Sequence, residues 1–328
     1  MTRRVIYDAD LAPVPGSTFQ PTGFPDIGAA TFTRYDGDGN QVDSLLVESV
    51  QSMANRLEST AWDAAGQRPV ETVRGLPWVR VVRDGTGEFL TSSRLEAHRL
   101  ASPFVHKASL DGRSMFDEIR ERLGLAQDTP LNRTAMARAV AELDPFCLIH
   151  GVFFSQKEWW GQPKFSRAVS AVIEAHHVMR VDSGGRKADH VRHQLSDDFG
   201  GTQEGYGSVP FPRTEWTARA IVASFAVDRE LLYSYGLPDQ VTELLETVAL
   251  WEIRSLLEGG LRLRTACDLE VLGEVKARRG PELPTLETLT ERIRELLPQC
   301  TDVFGNGEPL SVQWADKGKD KGKKGARK

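Results

Sequence analysis

Val169-Ser170-Ala171-Val172-Ile173-Glu174-Ala175-His176-His177-Val178-Met179-Arg180-Val181 is the stretch that decides the fold class of this chain. Val169, Ala171, Ile173, Ala175, Met179 and Val181 fall on one face of a period-two pattern. Glu174, His176 and Arg180 take the other face. Successive strand side chains point to opposite sides, so the segment predicts a strand with one core face and one polar face.

The neighbouring segments extend this picture. Phe146 to Phe154 is a nearly unbroken apolar run and predicts a strand covered on both faces. Val5-Ile6-Tyr7 reads as extended, and Ala29–Tyr35 and Val42 flank the turn Asp36-Gly37-Asp38-Gly39-Asn40. Asp43 predicts the cap of a helix running to about Ser59, with Leu46, Val50, Met53 and Leu57 as its buried stripe. Trp78–Arg83 reads as a strand. Ser93 with Glu96 predicts a capping box and a short helix through Leu100. Met115–Leu123 and Thr134–Leu143 read as helices.

Downstream, Ser183-Gly184-Gly185-Arg186-Lys187 opens a glycine-punctuated stretch to about Pro212, of the length that is functional or disordered. Trp216–Val227 resumes strand character, and Val241, Leu244, Leu245, Val248 and Trp251 mark a helix stopped by Gly259-Gly260. Leu261–Leu269 reads as one strand, and Thr288 with Glu291 as the cap of a last helix. Half-covered strands interspersed with helices and long loops favour α+β over a doubly wound fold.

Composition sets the limits on function. The 328 residues carry 41 Lys plus Arg against 46 Asp plus Glu, a formal charge of −5. The last thirteen residues, Asp316 to Lys328, hold a local +5, which leaves −10 for the body. Net charge therefore does not by itself exclude a nucleic-acid partner. The three cysteines, Cys147, Cys267 and Cys300, are too dispersed for a disulfide framework or a cysteine zinc site. The N-terminus meets Asp8 and Asp10 before any apolar h-region, and no apolar run has the length of a membrane span, so a cytosolic protein is expected.

No GxGxxG, P-loop, GxSxG or HExxH pattern is present. Asp189, His190 and His193, with His176-His177 upstream, match no metal-ligand template, and Arg186, Lys187 and Arg192 oppose a cation. Neither a metal nor another cofactor is expected. Cys147 and His150 sit at odd spacing on the predicted apolar strand and face opposite sides, as a core thiol and a separately satisfied histidine would. Asp182, Asp189, Asp197 and Asp198 border the glycine-rich stretch and are the candidates for acid–base or metal-assisted RNA cleavage. The basic residues form a more coherent set. Arg94, His98 and Arg99 fall together, Arg186 and Lys187 lie on the glycine-rich loop, Arg213 follows it, Arg180 is on a polar strand face, and Arg262 and Arg264 share another. Guanidinium and ammonium groups with loop N–H donors are what a protein tracking a phosphate backbone requires.

Several ordered blocks carry a resemblance. They are Phe19-Gln20-Pro21-Thr22-Gly23-Phe24-Pro25-Asp26-Ile27-Gly28-Ala29-Ala30, Leu45 to Glu58, Thr91 to Leu100, Ile149 to Phe154, Ser183 to Lys187, Gly205 to Phe211, and Gly260 to Glu270. Over roughly residues 10 to 275 the chain resembles the backbone subunit of the type I-G (formerly I-U) CRISPR effector complex, in the RAMP superfamily. The resemblance implies a modified RRM-like, ferredoxin-like palm with an inserted thumb hairpin and additional helices. On this basis residues 1–300 are expected to form one palm domain, with the thumb at about 183–212. Residues 301–328 are expected to be an extension ending in a disordered Lys/Gly-rich tail. The resemblance also implies head-to-tail copies gripping a guide RNA, with other Cascade subunits beside them and target DNA read by guide pairing. Such a subunit is not an enzyme. The alternative is a RAMP endoribonuclease cutting through Asp182 or Asp189.

Overall fold

A computed structural model describes residues 2–24, 28–187 and 209–315. In chain order the principal strands are β1 (Arg4–Pro13), β2 (Thr31–Tyr35), β3 (Gln41–Glu48), β4 (Val79–Arg83), β5 (Phe89–Ser92), β6 (Ser109–Leu110) and β7 (Arg113–Ser114). They continue with β8 (Val169–Lys187), β9 (Val209–Asp228), β10 (Leu261–Arg264), β11 (Cys267–Arg279) and β12 (Leu310–Trp314). The main helices are α1 (Val50–Thr60), α2 (Met115–Arg122), α3 (Arg133–Leu143), α4 (Phe146–His150), α5 (Arg229–Ser234), α6 (Asp239–Gly259) and α7 (Leu286–Leu296).

The larger sheet has seven antiparallel strands in the order β10-β11-β1-β9-β8-β3-β2. The period-two pattern does what it predicts over the first half of β8. Val169, Ala171, Ile173 and Ala175 are buried and lie opposite Val227, Phe225, Ala223 and Ile221 of β9. Val5, Tyr7, Ala9 and Leu11 of β1 lie opposite the same four residues on the other side. α1 packs on β8, and α6 on β9 and β11, so this face is the core. The opposite face stays polar. Asp8 accepts from Ser224, Lys276 pairs with Asp10 at 2.5 Å and Arg278 with Asp8 at 3.4 Å.

The pattern fails beyond His176. His177 has a left-handed backbone (φ 53°), and β8 and β9 then run on together as a two-stranded ribbon, paired to Lys187↔Val209. Eleven residues of β8 past His176 give the ribbon a reach of roughly 35 Å. At the ribbon root Val178, Trp216 and Ala218 still pack against the core, whereas Met179 turns outward and is 69% exposed. The expected thumb at 183–212 is described only as the outer ribbon, 183–187 paired with 209–213. Asp189, His190, His193, Asp197 and Asp198 lie outside the described residues.

The second sheet, β7-β6-β12-β4-β5, is antiparallel except for the parallel pair β12/β4. Its central strand β12 comes from the segment expected as an extension after residue 300. Val312, fully buried, returns that segment to the same hydrophobic cluster as β1 and β8. The Lys/Gly tail from 316 lies outside the described residues.

Several local expectations are corrected. Phe146–Phe154 is not one strand: Phe146–His150 is a helix that ends at Gly151 (φ 83°), and only Val152–Phe153 is extended. The helix expected from Asp43 starts at Val50, capped by Ser49, because residues 41–48 are claimed by the sheet. Leu261–Leu269 is a hairpin that turns at Thr265-Ala266, and its second strand continues to Arg279. α7 is capped by Thr285 rather than Thr288. Ser93 and Glu96 form no capping box: the Ser93 hydroxyl accepts from Val79 N–H and donates to Asp144, while Glu96 accepts from Thr91 and Ser102.

Candidate nucleic-acid interface

A cleft of about 1060 Å³ lies where the ribbon leaves the sheet. One wall is the Gln20–Gly23 loop, the other is the ribbon with Arg180, Arg213 and Trp216, and Thr265-Ala266 of the β10/β11 turn closes an end. Backbone pairing places the loop. Phe19 exchanges two hydrogen bonds of 2.9 Å with Trp216, Gln20 N–H donates to Ala266 and Thr22 N–H to Val47. Gly23 is required there, since a Cβ would stand 2.7 Å from the Gly28 carbonyl oxygen.

The structure divides the nine sequence-selected residues. Arg180 and Arg213 reach the cleft, each with a carboxylate beside it: Arg180–Asp182 at 2.8 Å, both more than half exposed, and Arg213–Glu215 at 3.0 Å. The exposed Arg180–Asp182 pair is worth little in water, and a phosphate can take Arg180 with small loss. Arg186 and Lys187 continue along the same ribbon, but their side chains lie outside the described residues. Arg262 is exposed on the edge strand and outside the cleft lining.

The other four are removed from this surface. Arg264 is a staple: it donates to the Gln20 and Val47 carbonyls and to Glu48, which is 2% exposed, so it holds the loop against β3. His98 is exposed in a separate cleft of about 500 Å³, with Arg99, Lys164 and Arg167. Arg94 and Arg99 are buried. Arg94 meets Asp144 at 2.8 Å and lies 3.4 Å above the Phe146 ring; Arg99 grips Glu58 through two bonds of 2.6 Å and donates to the Gly151 carbonyl. Burial pulls the Arg94 guanidinium below its ordinary value, although Asp144 acts the other way. His176 is also absent from the polar surface, because it is buried on Ser44 at 3.1 Å. Trp216 is the cleft residue that the charge-based search missed. An aromatic three residues past Arg213 on a predicted strand was its only signal.

The buried charges form a cluster with its own consequence. His150 Nε2 lies 2.9 Å from Glu252, both fully buried. Burial drives His150 down to about 3 and raises the Glu252 carboxyl well above its usual range. Arg94 and Arg99 already balance Asp144 and Glu58, so the pair is neutral, with a hydrogen bond between the Glu252 carboxyl and Nε2. Glu252→Gln, which keeps a donor, is expected to cost less than about 1 kcal/mol at pH 5, and Glu252→Ala about 3 kcal/mol. The linkage signs follow from the folded and unfolded protonation states. Below pH 4.5 the unfolded chain protonates His150 and the folded one does not until about pH 3, so acidification destabilises. Above pH 6.5 the folded chain alone keeps the Glu252 proton, so this contribution is lost as pH rises. The Gln variant therefore gains on the wild type by up to about 1.4 kcal/mol per pH unit above the unfolded carboxyl value. Urea unfolding at pH 5 and pH 8 checks this; a difference that does not change with pH would show an ionised Glu252.

Cys147, on the same helix turn, is fully buried with its thiol pushed well up, as expected of a core cysteine. Among the described residues no group of three His, Cys, Asp or Glu side chains is placed to hold a metal ion. Nor is any described helix long and apolar enough to cross a membrane.

Fold and cleft together define an α+β protein with an arginine-bearing groove at the root of a projecting ribbon. The chain belongs to the family of CRISPR-associated protein GSU0053 (Cas_GSU0053), whose sequence model matches residues 5–180. Among solved structures it is similar to a chain of a CRISPR RNA-guided surveillance complex, pre-nicking, at 12% identity and a TM-score of 0.37, covering 92% of this chain and 90% of that one. It is also similar to Thermofilum pendens Csc2 at 12% identity and a TM-score of 0.31, covering 91% and 76%. No curated protein matches the sequence.

Proposed function

We propose that this chain is a non-catalytic backbone subunit of a type I-G CRISPR effector complex in the cytoplasm, and that it holds guide RNA by its sugar–phosphate backbone. The observation that carries the reading is the cleft at the ribbon root, where Arg180, Arg213 and Trp216 face the Gln20–Gly23 loop. Two guanidinium groups and a ring offer charge and stacking without a base code, which is what holding any spacer sequence demands. Four strands of the large sheet, β11-β1-β9-β8, with α1 and α6 on one face, have the strand order of an RRM or ferredoxin-like palm. On this reading the ribbon is the thumb. On the open sheet face Asp8 and Asp10 are paired with Arg278 and Lys276, so the unbalanced arginine contacts of this reading are placed at the cleft rather than across the sheet.

The partners follow from the same reading: further copies in a head-to-tail filament, other Cascade subunits and, through guide pairing, target DNA. Co-expression with a guide RNA, followed by mass measurement and nucleic-acid extraction, tests it. A multimer containing guide-length RNA is expected, and an RNA-free monomer would refute the reading. Asp182 keeps the endoribonuclease alternative testable, because it sits on the ribbon beside the cleft, exposed and bonded to Arg180 and Thr214. Cleavage of guide-complementary RNA that disappears in Asp182→Ala would replace the non-catalytic assignment.

A further inference from the structure

A second arginine-lined cleft, of about 750 Å³, lies between the second sheet and α7, remote in sequence from the ribbon. Arg68 and Arg74 come from the chain between α1 and β4, Arg80 from β4 itself and Arg294 from α7. Glu71 and Glu308 also line it, so the lining carries a surplus of two positive charges. Arg74 is paired with Glu71 at 2.8 Å, and Arg68 reaches Asp63 at 3.6 Å. The side chains of Arg80 and Arg294 have no hydrogen-bond or ion-pair partner among the described residues. Arg80 is the informative one. Its Nε–H is buried without an acceptor, and its guanidinium stands 5.9 Å over the Phe89 ring, which orients it.

The floor of this cleft is built by close backbone packing. A Cβ on Gly307 (φ 70°) would lie 2.4 Å from the Gly75 carbonyl carbon, and one on Gly75 would lie 3.1 Å from Leu297. Segments more than two hundred residues apart are thereby fixed against each other, and the arginines they carry converge without local carboxylates to neutralise two of them. A cleft-lining guanidinium that a ring orients and no carboxylate pairs offers its Nη–H groups to an anionic oxygen. A planar fork is matched in shape and charge by a phosphate. We propose that this cleft is a phosphate-binding site separate from the ribbon cleft, filled by the backbone of a nucleic-acid strand. A nucleoside triphosphate offers the same phosphate chemistry and is the other source to be distinguished.

The site stands independently of the guide-binding reading, and the test is arranged to keep the two apart. In an Arg180→Ala/Arg213→Ala chain, fluorescein-labelled dT10 and, separately, ATP are titrated at low salt. Binding of dT10 is expected to persist and to weaken at least tenfold when Arg80→Gln and Arg294→Gln are added. ATP bound with the same arginine dependence, in place of dT10, would keep the phosphate site and assign it to free nucleotide. Should Arg80→Gln unfold the chain, the exposed Arg294→Glu alone is expected to weaken binding about fivefold. Absence of binding by both probes, or affinity unchanged in the folded variants, would overturn the site. Neither outcome bears on whether the wild-type ribbon cleft holds a guide.

Discussion

Replacing Asp144 by alanine is expected to lower stability by about 3–5 kcal/mol, more than any substitution at the ribbon cleft. Asp144 is fully buried; it pairs with Arg94 at 2.8 Å and accepts from the Ser93 hydroxyl and the Phe146 N–H. Its loss leaves the Arg94 guanidinium buried against Phe146 with one remaining acceptor, the Pro77 carbonyl. An uncompensated buried charge is the costly result of breaking such a pair; the pair itself contributes far less relative to an apolar replacement. At roughly 1.5 °C per kcal/mol for a chain of this size, the thermal midpoint should fall by about 4–7 °C. Asp144→Asn keeps the acceptor but not the charge and should fall between. Arg180→Ala, which breaks an exposed pair, should change stability by less than about 1 kcal/mol. Urea unfolding of the three variants at pH 7 decides the matter. An Asp144→Ala chain as stable as Arg180→Ala would return Arg94 to the list of surface cations.

Arg180→Ala with Arg213→Ala is expected to weaken guide-RNA binding by on the order of 10- to 100-fold, equally for any spacer sequence. Two lost phosphate contacts on a single strand should flatten the dependence of log affinity on log salt by about 1.4. Equal loss across sequences is the signature of backbone holding, because base contacts would make the loss depend on the spacer. The matched control is Arg99→Ala, which removes a buried side chain that pairs with Glu58 and lies away from the ribbon cleft. It should lower stability while leaving the salt slope of the folded fraction unchanged. Fluorescence anisotropy with homopolymer spacers across a salt series reads both quantities. An unchanged slope in the ribbon double variant would remove the cleft from the RNA path.

How much of this could be read from the sequence depended on the kind of signal. The alternation in β8 was legible through Ala175 because a period of two has one structural meaning when one face is buried. Met179 broke the rule because it turns outward where the ribbon leaves the sheet. The run Phe146–Phe154 was ambiguous in principle: apolar residues all round suit a buried helix turn or a buried strand equally. Pro145 before it and Gly151 after it were the punctuation that favoured a helix. Asp43 misled because a capping residue also serves in a strand, and pairing with β2 and β8 claimed that segment.

The sequence by itself determined the α+β class, the half-covered strands, the buried stripes of α6 and α7, and the supply of arginines near the glycine-rich stretch. These are properties of neighbours in the chain, and local geometry writes them as a period or a cap. Only the tertiary structure decided which arginines are free to meet a ligand. Arg94 and Arg99 look like surface cations until folding brings Asp144 from fifty residues away and Glu58 from forty-one. Arg264 looks free until Glu48 arrives from β3, five strands along the sheet order. A charge is a site or a staple according to what folding places within a few ångströms of it. Coulomb attraction acts through space, and the order of residues along a chain does not record that distance.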